Sequence, residues 1–283
     1  MKDIELAKED VVRYIVKRFG LRMNKKLGQN FLISPDVVHQ IARAADLKDG
    51  DSVLEIGPGI GSLTQALAET GAFVHAVELD VHLLPVLAKT LAHYDNVEII
   101  HGDILKISIL DIVKKTPFTV CANLPYYITT PIIMQLLESR LPIKRMIFMV
   151  QKEVAQRMVA VPGNKIYGAL SVAVQYYTEP QLLFDISPHS FLPAPEVTSS
   201  VVELQIRNKP IVEVSDEKRF FAVVKAAFAQ RRKTLMNALK GAGYDKNVIM
   251  HVLEQVNIDG NRRGETLNLS EFAQIANHIS LLK

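Results

Sequence analysis

An apolar run from Phe118 to Ala122, broken only by Thr119, stops at Asn123-Leu124-Pro125-Tyr126-Tyr127. An amide, a stiff turn and aromatic rings at the end of a buried strand suit a flat ring held by its edge and its face. The exocyclic amine of such a ring, as in adenine, is a poor nucleophile because its lone pair is delocalised. Two carbonyl acceptors that take its hydrogens favour a tetrahedral nitrogen and turn the lone pair toward an electrophile. Asn123 offers one acceptor through its side-chain oxygen and Leu124 a second through its backbone carbonyl. Pro125 stiffens the turn, and Tyr126 presents a face for stacking, as flipped bases are held. Catalysis of this kind rests on positioning. As a bare tetrapeptide Asn-Leu-Pro-Tyr is only a turn former. Its place behind a glycine turn, at the end of a fourth strand, favours the catalytic reading. Tyr127 is expected to pack against the sheet or the next helix.

The partner chemistry lies upstream. VLEIGPGIGSLT (53–64) puts Gly57, Gly59 and Gly61 between a strand and a helix, where glycines allow a tight turn and close approach to a ligand. Glu78 ends the next strand, at the place where a carboxylate commonly grips two ribose hydroxyls. This pattern also describes a nicotinamide-binding domain. Two details favour S-adenosylmethionine. Glu55 precedes the turn, where a carboxylate could face the cationic methionine end. Asp103 ends the third strand and could accept a hydrogen bond from the adenine amine, although it equally suits a helix cap before ILKI.

These residues require a scaffold of alternating strands and helices. SVLEIG, FVHAVELD, NVEIIHGD, FTVCANLP, RMIFMVQK and SSVVELQI (199–206) read as strands, with helical spacing between them. Short apolar strands alternating with helices predict an α/β fold with a parallel sheet covered on both faces. From about Asp216 only helical patterns follow, which puts a domain boundary near 208–215. The expected organisation is a basic extension over 1–24, a main domain over 25–208 and a small all-helical domain over 212–283.

The 283 residues suffice for both domains. No apolar run is long enough to cross a bilayer, and the N-terminus lacks an apolar signal core. A single cysteine, Cys121, excludes a disulfide framework within the chain and fits a reducing cytoplasm. No metal site is expected. Residues 11–30 carry six basic side chains and no acidic one; residues 31–206 carry 12 basic and 18 acidic, and residues 207–283 carry 13 and 8. A polyanion would be drawn to the two ends, and nucleic acid is the obvious candidate; solvated surface is the bland alternative.

KKLGQNFL (25–32), VLEIGPGIGSLT, VELD (77–80), GDIL (102–105) and NLPYYITTP (123–131) together resemble the RNA adenine N6-dimethyltransferases, most closely the bacterial small-subunit (16S) rRNA branch. QKEVAQRM, YGALSVAVQYY, FLPAPEVTSSVV, FAQRRKTLMNAL and RRGETLNLSEF extend the likeness over nearly the whole chain. The resemblance implies a Rossmann-like class I methyltransferase with a seven-stranded, mostly parallel sheet whose last strand is antiparallel, followed by a helical RNA-binding domain. It implies cofactor contacts at Asn30, Leu32, Gly57, Glu78, Asp103 and Asn123, a catalytic group of Asn123, Leu124, Pro125 and Tyr126, and closure of GQNF over the cofactor, with Phe31 lining the base pocket. The implied substrate is 16S rRNA within the immature small subunit, and the implied state a cytoplasmic monomer. Arg231, Arg232, Lys233, Arg262 and Arg263 are expected to face phosphates, with Arg263 alternatively pairing with Glu265 or Glu271. A large-subunit rRNA dimethylase, a non-catalytic assembly factor or transcription cofactor, and a nicotinamide oxidoreductase are the competing readings. The last leaves Asn123 to Tyr126 unexplained.

Overall fold

The computed structural model describes residues 4–21 and 29–281. Its elements begin with α1 (Glu9–Arg18), β1 (Phe31–Leu32), α2 (Pro35–Ala44), β2 (Ser52–Ile56), α3 (Ser62–Ala68), β3 (Phe73–Glu78) and α4 (Leu84–Thr90). There follow β4 (Val97–His101), α5 (Ile109–Ile112), β5 (Phe118–Asn123), α6 (Thr129–Glu138), β6 (Ile143–Gln151), α7 (Lys152–Val159) and α8 (Ala169–Tyr177). The chain ends with β7 (Thr178–Ile186), β8 (Phe191–Leu192), β9 (Ser199–Ile206), α9 (Glu217–Ala229), α10 (Leu235–Gly241), α11 (Lys246–Gln255) and α12 (Leu269–Leu281).

Seven strands form one sheet in the order β4-β3-β2-β5-β6-β9-β7. The pairs β3–β4, β2–β3, β2–β5 and β5–β6 are parallel, and β9 runs antiparallel to β6. This is the mostly parallel sheet with an antiparallel last strand that the alternation and the resemblance predict. β2 is buried along its whole length and β5 up to Asn123, so both read as continuous apolar runs rather than alternating ones. Parallel pairing has a functional consequence. It brings the carboxyl ends of β2, β3, β4 and β5 to one edge, with Ile56 beside Val77 and Ala122, and Glu78 beside His101.

Two pairings are absent from the sequence reading. β7 is a nine-residue edge strand whose residues are mostly half-exposed or exposed, and its only consecutive apolar residues are Leu182, Leu183 and Phe184. β1 and β8, two residues each, pair as Phe31 with Leu192 and Leu32 with Phe191.

The chain divides into two compact units, Met1–Ala155 with Gln181–Ile206, and Gln156–Pro180 with Arg207–Lys283. In the first, the expected basic extension contains α1, whose Val12 and Ile15, with Leu6 before it, are buried in a cluster with Leu83, Val86 and Leu87. Arg13, Lys17 and Arg18 lie exposed on its other side; Arg22, Lys25 and Lys26 lie outside the described residues. In the second, Asp216, Thr234 and Asp245 cap α9, α10 and α11 through their side-chain oxygens. Its core includes Phe220, Leu235, Leu239, Val252 and Phe272. Tyr176 and Tyr177 of α8 stack on Phe220 and Phe221, at ring-centre distances of 5.1 and 5.7 Å. That aromatic cluster groups residues 156–180, which precede the boundary suggested by composition, with the later helices. Gly264 is tightly packed: a Cβ there would lie 2.7 Å from the Ala227 carbonyl oxygen.

Candidate active site

Where β2 ends, the chain turns sharply through Gly57 and Gly59, both at positive φ (+70° and +63°). A Cβ on Gly57 would meet no protein atom within 4 Å, so the turn leaves open space in front of it. The Gly59 N–H donates to Glu78 Oε2 at 3.2 Å, and the Asp80 N–H donates to Oε1 at 2.8 Å. The Glu78 carboxylate, at the end of β3, is thereby fixed and buried. Burial pushes its pKa up, while these N–H groups pull the other way.

Asp103 follows β4. Its Oδ1 accepts from the Leu105 N–H at 3.1 Å, and Lys106 Nζ lies 3.4 Å from its other oxygen. The residue also lines the same pocket as Glu78. No helix begins at Asp103: the expected cap before ILKI is instead a local turn, and the same side chain lines the pocket.

Asn123 is the last residue of β5, beside Met149 of β6. Its Nδ2 donates to the Asn30 carbonyl at 3.3 Å, which leaves Oδ1 as the free acceptor of the amide. The Leu124 N–H donates to the Met149 carbonyl at 3.1 Å, and the buried Leu124 side chain anchors the turn. The Pro125 carbonyl accepts from the Ile128 N–H at 3.1 Å and the Thr129 hydroxyl at 3.0 Å, joining the turn to α6. Tyr126 is half-buried, with its hydroxyl 2.7 Å from Ser199 Oγ. Tyr127 corrects the sequence expectation. It is 53 % exposed and lines the pocket instead of packing against sheet or helix. Burial, then the Asp103 and Glu78 carboxylates, push its phenol up. The turn that sends one tyrosine inward sends its neighbour to the rim.

The segment 29–33 passes beside this turn. Gln29 Nε2 donates to Asp80 Oδ2 at 2.8 Å, Asn30 receives Asn123, and Phe31 and Leu32 are buried in the pairing with β8. The Phe31 ring would lie 3.3 Å from a Cβ on Gly59. One pocket thus gathers Asn30, Phe31, Leu32, Gly57, Glu78 and Asp103, and with them Asn123, Leu124, Pro125 and Tyr126. Sequence reasoning missed Gln29 and Ser199. Gln29 sits inside the GQNF motif, but Ser199 carried no signal, since its partner is 73 residues away.

The basic residues of the second unit separate into two groups. The Arg262 guanidinium pairs with both Glu271 oxygens and donates to the Thr266 carbonyl. Burial pushes the Glu271 carboxyl up, but Arg262 and the Asn268 N–H outweigh it and hold the pKa below the ordinary value. Arg231 donates to the Lys165 carbonyl and lies 3.6 Å from Glu265. The internal pairing expected as an alternative for Arg263 falls to its neighbours: Arg262 takes Glu271, and the exposed Arg231 lies beside Glu265. Arg232, Lys233 and Arg263 are exposed and form no ion pair among the described residues.

The model of the family described as ribosomal RNA adenine dimethylase matches residues 20–275. The chain belongs to the ribosomal RNA adenine dimethylase family. Two relatives called ribosomal RNA small subunit methyltransferase A show how close the likeness runs. The one from Moorella thermoacetica is 49 % identical over 271 residues, 93 % of this chain and 94 % of its own. The one from Alkaliphilus oremlandii is 48 % identical over 272 residues, 94 % and 95 % of the two chains. Among solved structures, a dimethyladenosine transferase from Plasmodium falciparum is 26 % identical, covering 86 % of this chain and 95 % of its own with a TM-score of 0.74. A dimethylase of this family is an S-adenosylmethionine-dependent enzyme, and the pocket fits that donor. It offers open space before Gly57, a fixed carboxylate at Glu78 and a buried, unpartnered oxygen at Glu55. No described helix is long and apolar enough to cross a membrane.

Proposed function

We propose that the chain transfers methyl groups to N6 of two adjacent adenosines in a hairpin loop near the 3′ end of 16S rRNA, giving N6,N6-dimethyladenosines. It acts on the immature small subunit, as a cytoplasmic monomer. The observation that carries this reading is Asn123 at the carboxyl end of β5, its amide nitrogen tied to Asn30, in one pocket with Glu78 and Asp103.

Glu78 holds the donor's ribose, Asp103 its adenine amine, and Asn30, Leu32 and the Gly57 turn complete that side. S-adenosylmethionine supplies an electrophilic methyl carried on a sulfonium. Tyr126 stacks on the target adenine, and Phe31 lines the base pocket. Asn123 Oδ1 and the Leu124 carbonyl accept the two amine hydrogens and turn the nitrogen lone pair out of the ring plane. The methylated nitrogen becomes acidic and gives its proton to water, so no side chain acts as a strong base. Pro125 keeps the two acceptors in a fixed relation. Arg232, Lys233 and Arg263 contact phosphates, which position the RNA without reading sequence.

The deciding experiment supplies methyl-labelled S-adenosylmethionine to purified, unmodified small and large subunits and identifies the modified nucleotide. Labelled dimethyladenosine in small-subunit RNA is expected. Label only in the large subunit, or in a nucleotide other than adenosine, would overturn the assignment.

A further inference from the structure

Asp103 sits in a loop that follows β4 and has no regular structure until α5. The Leu105 N–H holds one of its oxygens at 3.1 Å. The carbonyls of Ile104 and Leu105 accept no backbone N–H among the described residues. One side chain takes both instead. Gln135 Nε2, in the second turn of α6, lies 3.4 Å from the Ile104 oxygen and 3.3 Å from the Leu105 oxygen. A primary amide carries two N–H groups, so it can donate to both. Gln135 interrupts a helix whose Ile132, Ile133, Leu136 and Leu137 are buried. Ile132, one turn earlier on the same face, lines the donor pocket, and so does Ile104. The same helix starts from the catalytic turn, where the Thr129 hydroxyl donates to the Pro125 carbonyl at 3.0 Å. α6 therefore ties the Asp103 loop to the turn that holds Asn123.

We propose that Gln135 is a positioning residue that sets the pocket's preference for adenine in the methyl donor, by fixing the loop from which Asp103 acts. It works through one peptide unit on each side of Leu105: Gln135 holds the Leu105 carbonyl, and the Leu105 N–H holds the Asp103 carboxylate. The inference rests on the reading of Asp103 as the acceptor for the adenine amine. A carboxylate held in advance discriminates in two ways. The bond to the right base costs no ordering, and the wrong base meets a charge that cannot swing aside. Hypoxanthine is such a base, because it carries a carbonyl oxygen where adenine carries its amine, and two acceptors would then face each other.

Calorimetry on the full chain with S-adenosylhomocysteine and S-inosylhomocysteine, which differ only in the base, reads that preference. The wild type should favour the adenine ligand by about tenfold to a hundredfold, the range for a hydrogen bond to a charged acceptor. Gln135→Met, of similar length but without a donor, should narrow the preference about threefold or more, since Asp103 must then be ordered during binding. Gln135→Glu keeps the shape of the side chain and, when ionised, offers no donor either. It should narrow the preference likewise, and it decides if the methionine variant does not fold. Both ligands weakened equally, with the preference intact, would make Gln135 a brace for the loop and nothing more. That result, or unchanged affinities in the variants, would overturn the inference while leaving the Asp103 reading intact. A wild-type chain that bound the two ligands equally would overturn both.

Discussion

The Tyr126 hydroxyl and the Ser199 Oγ lie 2.7 Å apart, joining the turn after β5 to the first residue of β9. Ser199 is fully buried, so its hydroxyl is a fixed point. Burial pushes the Tyr126 phenol up, with Ser199 pulling the other way. The hydroxyl is therefore a tether that sets the plane of the ring. Tyr126→Phe and Ser199→Ala should each slow methyl transfer, and the double variant should do no more harm than the worse single one. A coupling energy of about 1 kcal/mol is expected from a single-turnover double-mutant cycle. Additive losses would show that the hydroxyls act independently. Tyr126→Ala, which removes the stacking face as well, should weaken base capture by about 1–3 kcal/mol.

Asn123→Ala should leave S-adenosylmethionine bound and RNA docked, because Glu78, Asp103 and the phosphate contacts remain. The transfer rate should fall on the order of a hundredfold, as when one aimed hydrogen-bond partner is lost. Single-turnover kinetics resolving mono- from dimethyladenosine measure this. Wild-type rates for both products would reduce Asn123 to a turn former.

Glu78→Ala removes the carboxylate held by Gly59 and Asp80. Calorimetry should show donor affinity reduced tenfold or more, about 1.4 kcal/mol. An unchanged constant would place the ribose elsewhere.

Neutralising Arg232, Lys233 or Arg263 should weaken RNA binding and flatten its salt dependence by a little under one unit per lost phosphate contact. Arg262→Ala should behave differently. It leaves Glu271 without its bidentate partner, so urea denaturation should report a loss of about 1–2 kcal/mol, discounted for the pair's partial solvation. A large salt-slope change from Arg262→Ala with unchanged stability would reverse the two assignments.

Glu55 links stability to pH in the donor-free protein. The unfolded chain ionises it near 4.5, whereas burial makes the fold resist until about 8. Its contribution is fully present below pH 4.5 and is lost as pH rises through 8, a window worth roughly 3–6 kcal/mol. Glu55→Gln should therefore gain on the wild type between pH 5 and pH 8 in denaturant titrations. Parallel stability curves would contradict a neutral, buried Glu55.

The scaffold was legible where burial leaves a signature in consecutive residues. β2 and β5 are covered on both faces, and their apolar runs mark them; the glycine turn and the acids at the strand ends then follow in order. β7 escaped because an edge strand needs no apolar run and here contains Pro180. The relationships that shape the site were the least legible, because they link distant residues: Asn123 to Asn30 across 93 positions, Tyr126 to Ser199 across 73. Local direction was also hidden. Nothing in Tyr126-Tyr127 or Arg262-Arg263 says which neighbour turns inward; the backbone of each turn decides it.

The bond from Asn123 Nδ2 to the Asn30 carbonyl has one more consequence. An amide free to rotate could offer either end to a substrate, but this one is committed as an acceptor. On the proposed roles, the pocket then counts hydrogens. Fresh adenine brings two and engages both acceptors; the monomethylated base brings one and engages a single acceptor; the dimethylated base brings none. Each turnover thus erases part of the grip that made it possible, and after the second nothing remains for Asn123 or Leu124 to hold. Stopping at two methyl groups, and letting go of the product, needs no separate sensor.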